Sequence, residues 1–410
     1  MADGTPRFQL PDQFEDWFAS RGWAPRAHQL ALAETALQDE SALLIAPTGA
    51  GKTLAGFLPS LIDIPRRKRE SNDRRPALHT LYISPLKALA VDVHRNLNTP
   101  VEEMGLNLRI ETRTGDTPQS RRQRQRANPP DILLTTPEQL ALFIASDRAS
   151  EFFEDLKCVI IDEIHAIAPT KRGDLLALGL STLRSWSPNL RLTGLSATVA
   201  APHKLTNWMG GASIIRAEGG ASADIDLLIS KERIPWSGHS GRFAVNELYE
   251  QIKQARLALV FVNTRSQAEM MFQELWRANE DALPIALHHG SLDVGQRRKV
   301  EAAMASGILR AVVCTSTLDL GIDWGDVDLV VQLGAPKGSS RLIQRIGRAN
   351  HRLDEASRAL LVPTNRFEVL ECRAAKEAVD DRQLDGPDRT QGGLDVLAQH
   401  VMGRACGEGF

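Results

Sequence analysis

The sequence predicts an α/β protein of two lobes, each a mostly parallel β-sheet with helices on both faces. Short apolar runs alternate with helical stretches along most of the 410 residues, which is typical of parallel sheets covered on both faces. A glycine-rich stretch at 218–222 interrupts this alternation, which then starts again. The length fits two or three domains, since one domain takes roughly 100–200 residues. We therefore expect a first lobe at 1–217, a linker at 218–224 and a second lobe at 225–385.

The predicted strands are short apolar segments. In the first lobe they lie at 42–45, 78–83, 108–112, 131–135, 158–162, 190–196 and 213–216. In the second lobe they lie at 226–229, 257–262, 284–287, 311–315, 329–333 and 359–362. We expect helices at 14–18 and 30–37 and a charged surface loop at 65–76. Residues 386–410 should form a linker and one helix, which carries an apolar stripe of Leu394, Leu397 and Val401 and is either loosely docked or disordered.

Composition is that of a soluble globular protein, with 42% hydrophobic and 24% charged residues. The formal net charge of −2 gives no global attraction to nucleic acid, so any basic surface must be local. The four cysteines form no C-x-x-C pair, and we expect free thiols rather than disulfides or a metal site. No apolar run reaches membrane-spanning length, so the expected location is cytoplasmic.

A phosphate-binding loop follows the first predicted strand, with the sequence Ala-Pro-Thr-Gly-Ala-Gly-Lys-Thr at 46–53. Its glycines let backbone N–H groups close around a phosphate at the start of a helix. Lys52 would reach the β- and γ-phosphate oxygens, and the Thr53 hydroxyl would hold Mg²⁺. The expected ATP contacts of the loop are Thr48, Gly49, Ala50, Gly51, Lys52 and Thr53. Upstream, Gln29 either reads the adenine edge or is an ordinary residue on a helix surface.

Two carboxylates follow the apolar strand at 158–161. Asp162 is placed to bind Mg²⁺ through water, and Glu163 to polarise the attacking water. His165 has no second histidine or cysteine at ligand spacing, so we do not expect it to bind metal. Further on, Ser196-Ala197-Thr198 supplies two hydroxyls at a strand end, where the first lobe could sense its neighbour.

The second lobe contains a basic segment at 344–352, which we expect on a helix. An arginine set against the γ-phosphate would make hydrolysis depend on closure of the lobes. The alternative is an exposed basic helix. We also expect the arginines at 121, 122, 124 and 126 to form a solvated face rather than a binding site.

In this order the motifs resemble those of a superfamily 2 helicase of the DExH type, with two RecA-like lobes. The resemblance makes Lys52, Asp162, Glu163 and Arg348 catalytic, with ATP and Mg²⁺ as cofactors. It adds Asp323, Arg345, Arg348, His351 and Arg352 to the ATP contacts, and it makes His165, Ser196 and Thr198 the coupling residues. The nucleic-acid contacts that it implies are Pro85, Lys87, Thr114, Gly115, Thr136, Arg265, His289, Gly290 and Thr315.

Within that superfamily the chain resembles the large helicase-related (Lhr) group, and most closely the bacterial DEXH-box helicases associated with a DNA ligase in the DNA damage response. The segments at 336–338, 345–352 and 365–369 carry this resemblance. It implies an ATP-driven motor that moves 3′ to 5′ on single-stranded DNA and unwinds DNA or RNA:DNA duplexes in repair. A DNA ligase and a nuclease are the implied partners, and 386–410 would open a truncated winged-helix-like region. The alternatives are a DExH RNA helicase and a nucleotide-gated clamp that does not unwind.

The end of the basic segment departs from the superfamily pattern. On one helix, Arg345, Arg348 and Arg352 would share a face, and His351 would also lie three residues from Arg348. Alignment puts His351 where a second arginine usually stands. We therefore expect His351 to contact nucleotide and Arg352 to support the helix from outside.

Overall fold

The structure is a computed structural model that describes residues 8–70, 75–197, 199–217, 223–238, 240–319, 327–349, 357–381, 383, 385 and 391–407. It divides into two compact units, which we call the first and second lobes. The described residues of the first lobe are 8–46, 51–217 and 391–407, and those of the second are 47–50 and 223–385.

The first lobe is built on a seven-stranded sheet. Its strands are β1 Ala42–Ile45, β2 Thr80–Ile83, β3 Ile110–Arg113, β4 Ile132–Thr135, β5 Cys158–Ile161, β6 Arg191–Ser196 and β7 Ser213–Arg216. They are ordered β3-β4-β2-β5-β6-β1-β7, and every pairing is parallel. Because parallel strands end at the same edge, the loops that follow all seven strands lie along one side of the sheet.

Helices cover this sheet. They are α1 Asp12–Ser20, α2 Ala27–Leu37, α3 Lys52–Glu70, α4 Lys87–Glu103, α5 Gln119–Ala127, α6 Pro137–Ile144, α7 Ala149–Phe153, α8 Ile164–Ile167, α9 Lys171–Trp186 and α10 Pro202–Trp208. The apolar residues of β1, β2, β4, β5 and β6 are buried and pack against these helices, with Phe143, Phe152 and Phe153 in mutual ring contact. Their burial is the main force that holds the lobe together.

The second lobe is built on a six-stranded parallel sheet. Its strands are β8 Asp224–Leu227, β9 Ala258–Phe261, β10 Ile285–His288, β11 Ala311–Cys314, β12 Leu329–Leu333 and β13 Arg358–Val362, ordered β10-β11-β9-β12-β13-β8. Its helices are α11 Val245–Gln254, α12 Arg265–Arg277, α13 Val294–Ala305, α14 Ser339–Ile346 and α15 Arg366–Asp380, with 3₁₀ turns at Arg242–Ala244 and Ser316–Leu318. The predicted fold class is therefore confirmed.

Two local predictions are wrong. The expected loop at 65–76 begins as helix, since α3 runs through Pro59 and Pro65 to Glu70. Ion pairs of Asp63 with Arg66 (2.7 Å) and Arg67 (2.6 Å), three and four residues on, support this last part of the helix. Helix α14 ends at Ile346, so 347–349 of the basic segment are not helical, and 350–352 lie outside the described residues.

The helix α16 Leu394–Cys406 packs on α9 and α6 of the first lobe. Lys171 Nζ lies 2.6 Å from Asp395 Oδ2, and the backbone N–H of Gly393 donates to Asp174 Oδ2 at 2.9 Å. The Arg404 guanidinium lies 5.2 Å from the centre of the Trp186 ring. The structure therefore places α16 on the first lobe, while the expectation that it is loosely docked stays a prediction.

The apolar stripe of α16 does not make this contact. Val396 is buried, whereas Leu394 is 81% exposed, and Leu397 and Val401 are exposed as well. The helix is thus oriented by its polar residues and Val396, and the predicted stripe lies on its solvent face.

Candidate nucleotide and nucleic-acid sites

The predicted catalytic residues of the first lobe follow adjacent strands. The phosphate-binding loop follows β1, Ser196 ends β6, and Asp162 follows β5, and these strands are neighbours in the order β5-β6-β1. Ala46 donates its N–H to Ser196 O at 3.0 Å, which ties the start of the loop to the end of β6. The sheet therefore brings together residues that are far apart in sequence.

The glycines of the loop have the backbone conformation that the motif requires. Gly49 has φ +77° and Gly51 has φ +72°, in the left-handed region that favours glycine. A β-carbon at Gly51 would lie 2.9 Å from Gln29 Nε2, so a side chain there would also be crowded. Gln29 is buried against this loop and accepts a hydrogen bond from Arg26 N at 2.9 Å. Its contact with adenine stays a prediction.

Lys52 and Thr53 are the first two residues of the 19-residue helix α3. The first backbone N–H groups of a helix have no hydrogen-bond partner within the helix and can therefore donate to a bound anion. The positive charge of Lys52 also acts on Asp162, whose pKa it lowers.

Asp162 is a buried carboxylate held by two hydrogen bonds. Tyr82 donates from its hydroxyl to Oδ2, and Glu163 donates its N–H to Oδ1 at 2.9 Å. Burial and the charge of Glu163 raise the pKa of Asp162 to about 6, against the influence of Tyr82 and Lys52. A divalent cation would relieve this penalty, and carboxylate and hydroxyl oxygens are ligands that Mg²⁺ accepts. Asp162 and Thr53 therefore fit a Mg²⁺ site.

Glu163 is one of the described non-glycine residues with positive φ (+45°). Such a conformation costs on the order of 1–3 kcal/mol and persists at functional sites where the surroundings impose it. Here it turns the chain from β5 into the short helix α8. This conformation could not be predicted from the sequence, since glutamate rarely adopts it.

His165 joins the Asp162–Glu163 segment to the end of β6. Its Nδ1 lies 2.7 Å from Ser196 Oγ and 3.5 Å from Glu163 Oε2. Burial lowers the pKa of His165, so the ring is neutral near pH 7. Two of the three predicted coupling residues are therefore in contact, and Thr198 lies outside the described residues. The predicted ATP contacts Asp323, His351 and Arg352 lie outside them as well.

The two described arginines of the basic segment have different surroundings. Arg345 is buried in the second lobe, with Nε 2.8 Å from Asp319 Oδ1, a further hydrogen bond to Gln332 and its guanidinium over the Phe261 ring. These contacts hold Arg345 within the second lobe, and its contact with ATP stays a prediction. Arg348 is also buried but lies beyond the end of α14, so our expectation that the arginines share a helix face is wrong.

In the first lobe, the predicted nucleic-acid motifs follow β2, β3 and β4, which are neighbours in the order β3-β4-β2. Lys87 begins α4, is exposed, and lies 3.0 Å from Asp116 Oδ1. A β-carbon built on Gly115 would lie 2.8 Å from Lys87 Nζ, so a side chain at this glycine would crowd the lysine. Thr136 caps α6 and is buried. Pro85 is buried too, so it offers no exposed contact surface.

Arg122 is a residue of this region that sequence reasoning missed. Its Nη2 donates to Thr114 O at 3.0 Å and to Gly115 O at 2.9 Å, and it thereby holds the turn that Lys87 approaches. Arg121 and Arg124 pair with Glu111 instead. The only signal in the sequence was an arginine on the helix directly after the Thr-Gly-Asp turn.

In the second lobe, the predicted motifs follow β9, β10 and β11, again neighbours. Arg265 begins α12. A β-carbon built on Gly290 would lie 4.0 Å from Arg265 Nη2, so the two residues are neighbours. His289 is buried, with Nε2 3.4 Å from Glu269. Thr315 N donates to His288 O at 3.3 Å. These contacts place the motifs side by side, while their binding of nucleic acid stays a prediction.

Family models match both lobes. Residues 26–205 match the DEAD/DEAH box helicase family, and residues 243–352 match the helicase conserved C-terminal domain. No described helix is long and apolar enough to cross a membrane.

Known proteins match almost the whole chain. The "Lhr helicase/uracil glycosylase" of Escherichia coli (strain K12) is 34% identical over 99% of this chain and 31% of its own length. The "ATP-dependent helicase Lhr-Core protein 2" of Thermococcus barophilus is 35% identical over 97% of this chain and 48% of its own length. The structure of Mycobacterium smegmatis helicase Lhr bound to ssDNA and AMP-PNP superposes with TM-score 0.84 at 36% identity, over 98% of this chain and 54% of that one.

The two matched family models make this chain a DEAD/DEAH-box helicase of superfamily 2. Within that superfamily it belongs to the Lhr type, and it corresponds to the helicase core of those proteins. The chain spans less than half of the length of these two curated relatives.

Proposed function

We propose that this chain is a nucleic-acid-stimulated ATPase that uses ATP and Mg²⁺ to move along single-stranded DNA. The observation that carries the proposal is the convergence of the phosphate-binding loop, Asp162–Glu163 and Ser196 at adjacent strand ends. Lys52 and the helix start would hold the β- and γ-phosphates. Thr53 and Asp162 would hold Mg²⁺, which neutralises the developing charge when bound. Glu163 would orient the attacking water, and Arg348 would stabilise the transition state.

We further propose movement from 3′ to 5′, unwinding of DNA or RNA:DNA duplexes, and a role in DNA repair in the cytoplasm. The support is the likeness to Lhr proteins, one of which was solved with ssDNA and AMP-PNP. The same likeness suggests a DNA ligase and a nuclease as partners. Sedimentation of the purified proteins together tests this part.

The central experiment compares two substitutions at the nucleotide site. Lys52→Ala should lose ATP binding, because the lysine is the positive charge at the phosphates. Glu163→Gln should keep ATP binding and lose hydrolysis, because it removes only the group that polarises water. ATP affinity and turnover with single-stranded DNA are measured for both, with the exposed Glu154→Gln as a control. Hydrolysis by Glu163→Gln at the parent rate would refute the role of Glu163.

The alternatives give different results in related assays. An RNA helicase would show stronger ATPase stimulation by single-stranded RNA than by DNA of the same sequence. A nucleotide-gated clamp would hydrolyse ATP without displacing streptavidin from biotin at a DNA end. A motor moving 3′ to 5′ should displace it from the 5′ end alone.

A further inference from the structure

A tryptophan in the second lobe is exposed and yet firmly held. Trp236 lies in the loop that follows β8 and is 61% exposed. The backbone beside it is tied to the start of α15: Arg366 N donates to Pro235 O at 3.0 Å, and Asn365 Nδ2 donates to Gly238 O at 3.0 Å. Arg366 Nε also donates to Ile234 O at 3.2 Å. The loop is thus fixed on both sides of the tryptophan, which remains open to solvent.

The surroundings of Trp236 are aromatic and basic. The Arg366 guanidinium lies 4.3 Å from the centre of its ring, at cation–π distance. The ring of Phe367, 64% exposed, is centred 6.4 Å away. Lys231, Glu232 and Arg233 of the same loop are exposed as well, and with Arg366 they leave an excess of positive charge. Neighbouring exposed aromatic rings beside a cation make this group a candidate binding surface.

The position of this group lies along the predicted nucleic-acid edge. Strands β9, β12, β13 and β8 are consecutive neighbours, so the ends of β9 and β8 are roughly 14 Å apart at about 4.8 Å per strand. Arg265 follows β9, and Trp236 follows β8. Asn263 Nδ2 donates to Ala335 O at 2.9 Å, which links the loops after β9 and β12. A bound strand covers roughly 4–16 nucleotides on such surfaces and can reach both places.

We propose that Trp236 is a stacking platform for a base of single-stranded nucleic acid, with Arg366 orienting its ring and Phe367 widening the surface. The proposal deepens the proposed function and rests on it. A stacking contact suits a motor, because every base has a π-face and the contact carries no sequence information. The cations beside the ring favour a polyanion over an apolar protein partner.

The test compares Trp236→Ala with Trp276→Ala, a matched control that also removes an exposed tryptophan of the second lobe. Binding of fluorescent oligo-dT is followed by anisotropy at several salt concentrations. Trp236→Ala should weaken binding roughly 5- to 100-fold with an unchanged salt slope, since stacking releases no counterions. Trp276→Ala should bind as the parent does. Trp236→Phe should recover most of the loss, because a ring face remains.

A fully abasic oligonucleotide of the same length gives the second readout. The parent and Trp236→Ala should bind it equally, because it has no base to stack. Parent-like binding of oligo-dT by Trp236→Ala, or an equal loss on the abasic strand, would overturn the stacking platform while leaving the motor intact. A parent protein whose ATPase is not stimulated by single strands would overturn the proposed function, and this result is independent of Trp236.

Discussion

The hydroxyl of Tyr82 on β2 donates a hydrogen bond to the carboxylate of Asp162 after β5, the neighbouring strand. The tyrosine is fully buried, and its own pKa is raised well above the usual value by burial and by the Asp162 charge. It therefore stays protonated and remains a donor. This contact fixes the orientation of the carboxylate that is proposed to hold Mg²⁺.

The raised pKa of Asp162 predicts pH-dependent nucleotide binding. Below about pH 6 a proton competes with the cation for this carboxylate, so affinity for Mg²⁺–ATP should fall by up to about tenfold per pH unit. Tyr82→Phe removes a hydrogen bond that lowers this pKa, so the fall should begin at higher pH. Calorimetric titration over a pH series measures both profiles. Tyr249→Phe, at the other tyrosine, should leave the profile in place, and an unshifted Tyr82→Phe profile would contradict the assignment.

The raised pKa of Asp162 also makes the stability of the protein depend on pH. Between pH 3.8 and about 6 the native protein holds a proton on Asp162 that the unfolded chain releases. The contribution of this group therefore falls as pH rises through that window. Denaturant unfolding of the nucleotide-free protein at pH 4.5 and 6.5 measures the contribution of Asp162. Asp162→Asn, which cannot titrate at this position, is the control. An equal pH dependence in both proteins would show that other groups are responsible.

The His165–Ser196 contact predicts a coupling defect. Ser196→Ala should keep ATP affinity and basal hydrolysis, because Ser196 is not expected to touch nucleotide. Stimulation of kcat by single-stranded DNA should fall by about fivefold, the effect of losing one hydrogen bond of roughly 1 kcal/mol. Ser187→Ala removes another buried serine hydroxyl, which bonds to Phe153 O, and serves as the control. Full stimulation in Ser196→Ala would remove this contact from the coupling route.

Replacement of Arg345 by alanine should affect stability, whereas replacement of Arg348 should affect turnover. Arg345→Ala removes the closer cation from the buried Asp319 and leaves Arg341, 3.6 Å away, so it should cost up to about 3–5 kcal/mol, and the second lobe should unfold at lower temperature. Arg348→Ala should keep nucleotide binding and lose most turnover, because its proposed charge acts in the transition state. Thermal unfolding and kcat are measured for both. A stable Arg345→Ala protein with lost turnover would instead support the predicted contact of Arg345 with ATP.

Lys87 forms an ion pair with the exposed Asp116, which a bound phosphate would have to displace. Lys87→Ala should weaken binding of all DNA sequences and lower the salt slope by about one. Asp116→Asn should strengthen binding up to fivefold, since exposed ion pairs contribute at most about 1 kcal/mol. The control is Lys253→Ala, whose lysine lies at the same 3.0 Å from Asp281. Weaker binding by Asp116→Asn would show that the aspartate itself supports the site.

The docking of α16 can be tested by two valines on the same helix. Val396→Asp places a charge at the buried contact and should open the helix by about 2 kcal/mol or more. Val401→Asp, on the solvent face, should change its stability by less than about 0.5 kcal/mol. Hydrogen exchange of the α16 amides reports both. If Val401→Asp loses protection to the same extent, the apolar stripe is the docked face after all.

The strands could be predicted from the sequence because most are short, buried apolar runs, and the observed ends lie within two residues of the prediction. The edge of each sheet that carries the predicted site residues could be predicted as well, because parallel strands end at the same edge. Features that depend on distant partners could not be predicted. Arg345 pairs with Asp319, 26 residues away, and α3 continues past Pro65 because Asp63 binds the following arginines. Likewise, the exposed stripe of α16 depends on contacts with Lys171 and Asp174.

The placement of α16 makes the first lobe a discontinuous domain, interrupted by the second. During synthesis, the surface of α6 and α9 emerges long before the helix that covers it. At about 5–20 residues per second, the intervening second lobe takes on the order of 10–30 s to be made. The two sheets can therefore form in order of synthesis, while the last contacts of the first lobe are completed only after the second lobe has left the ribosome.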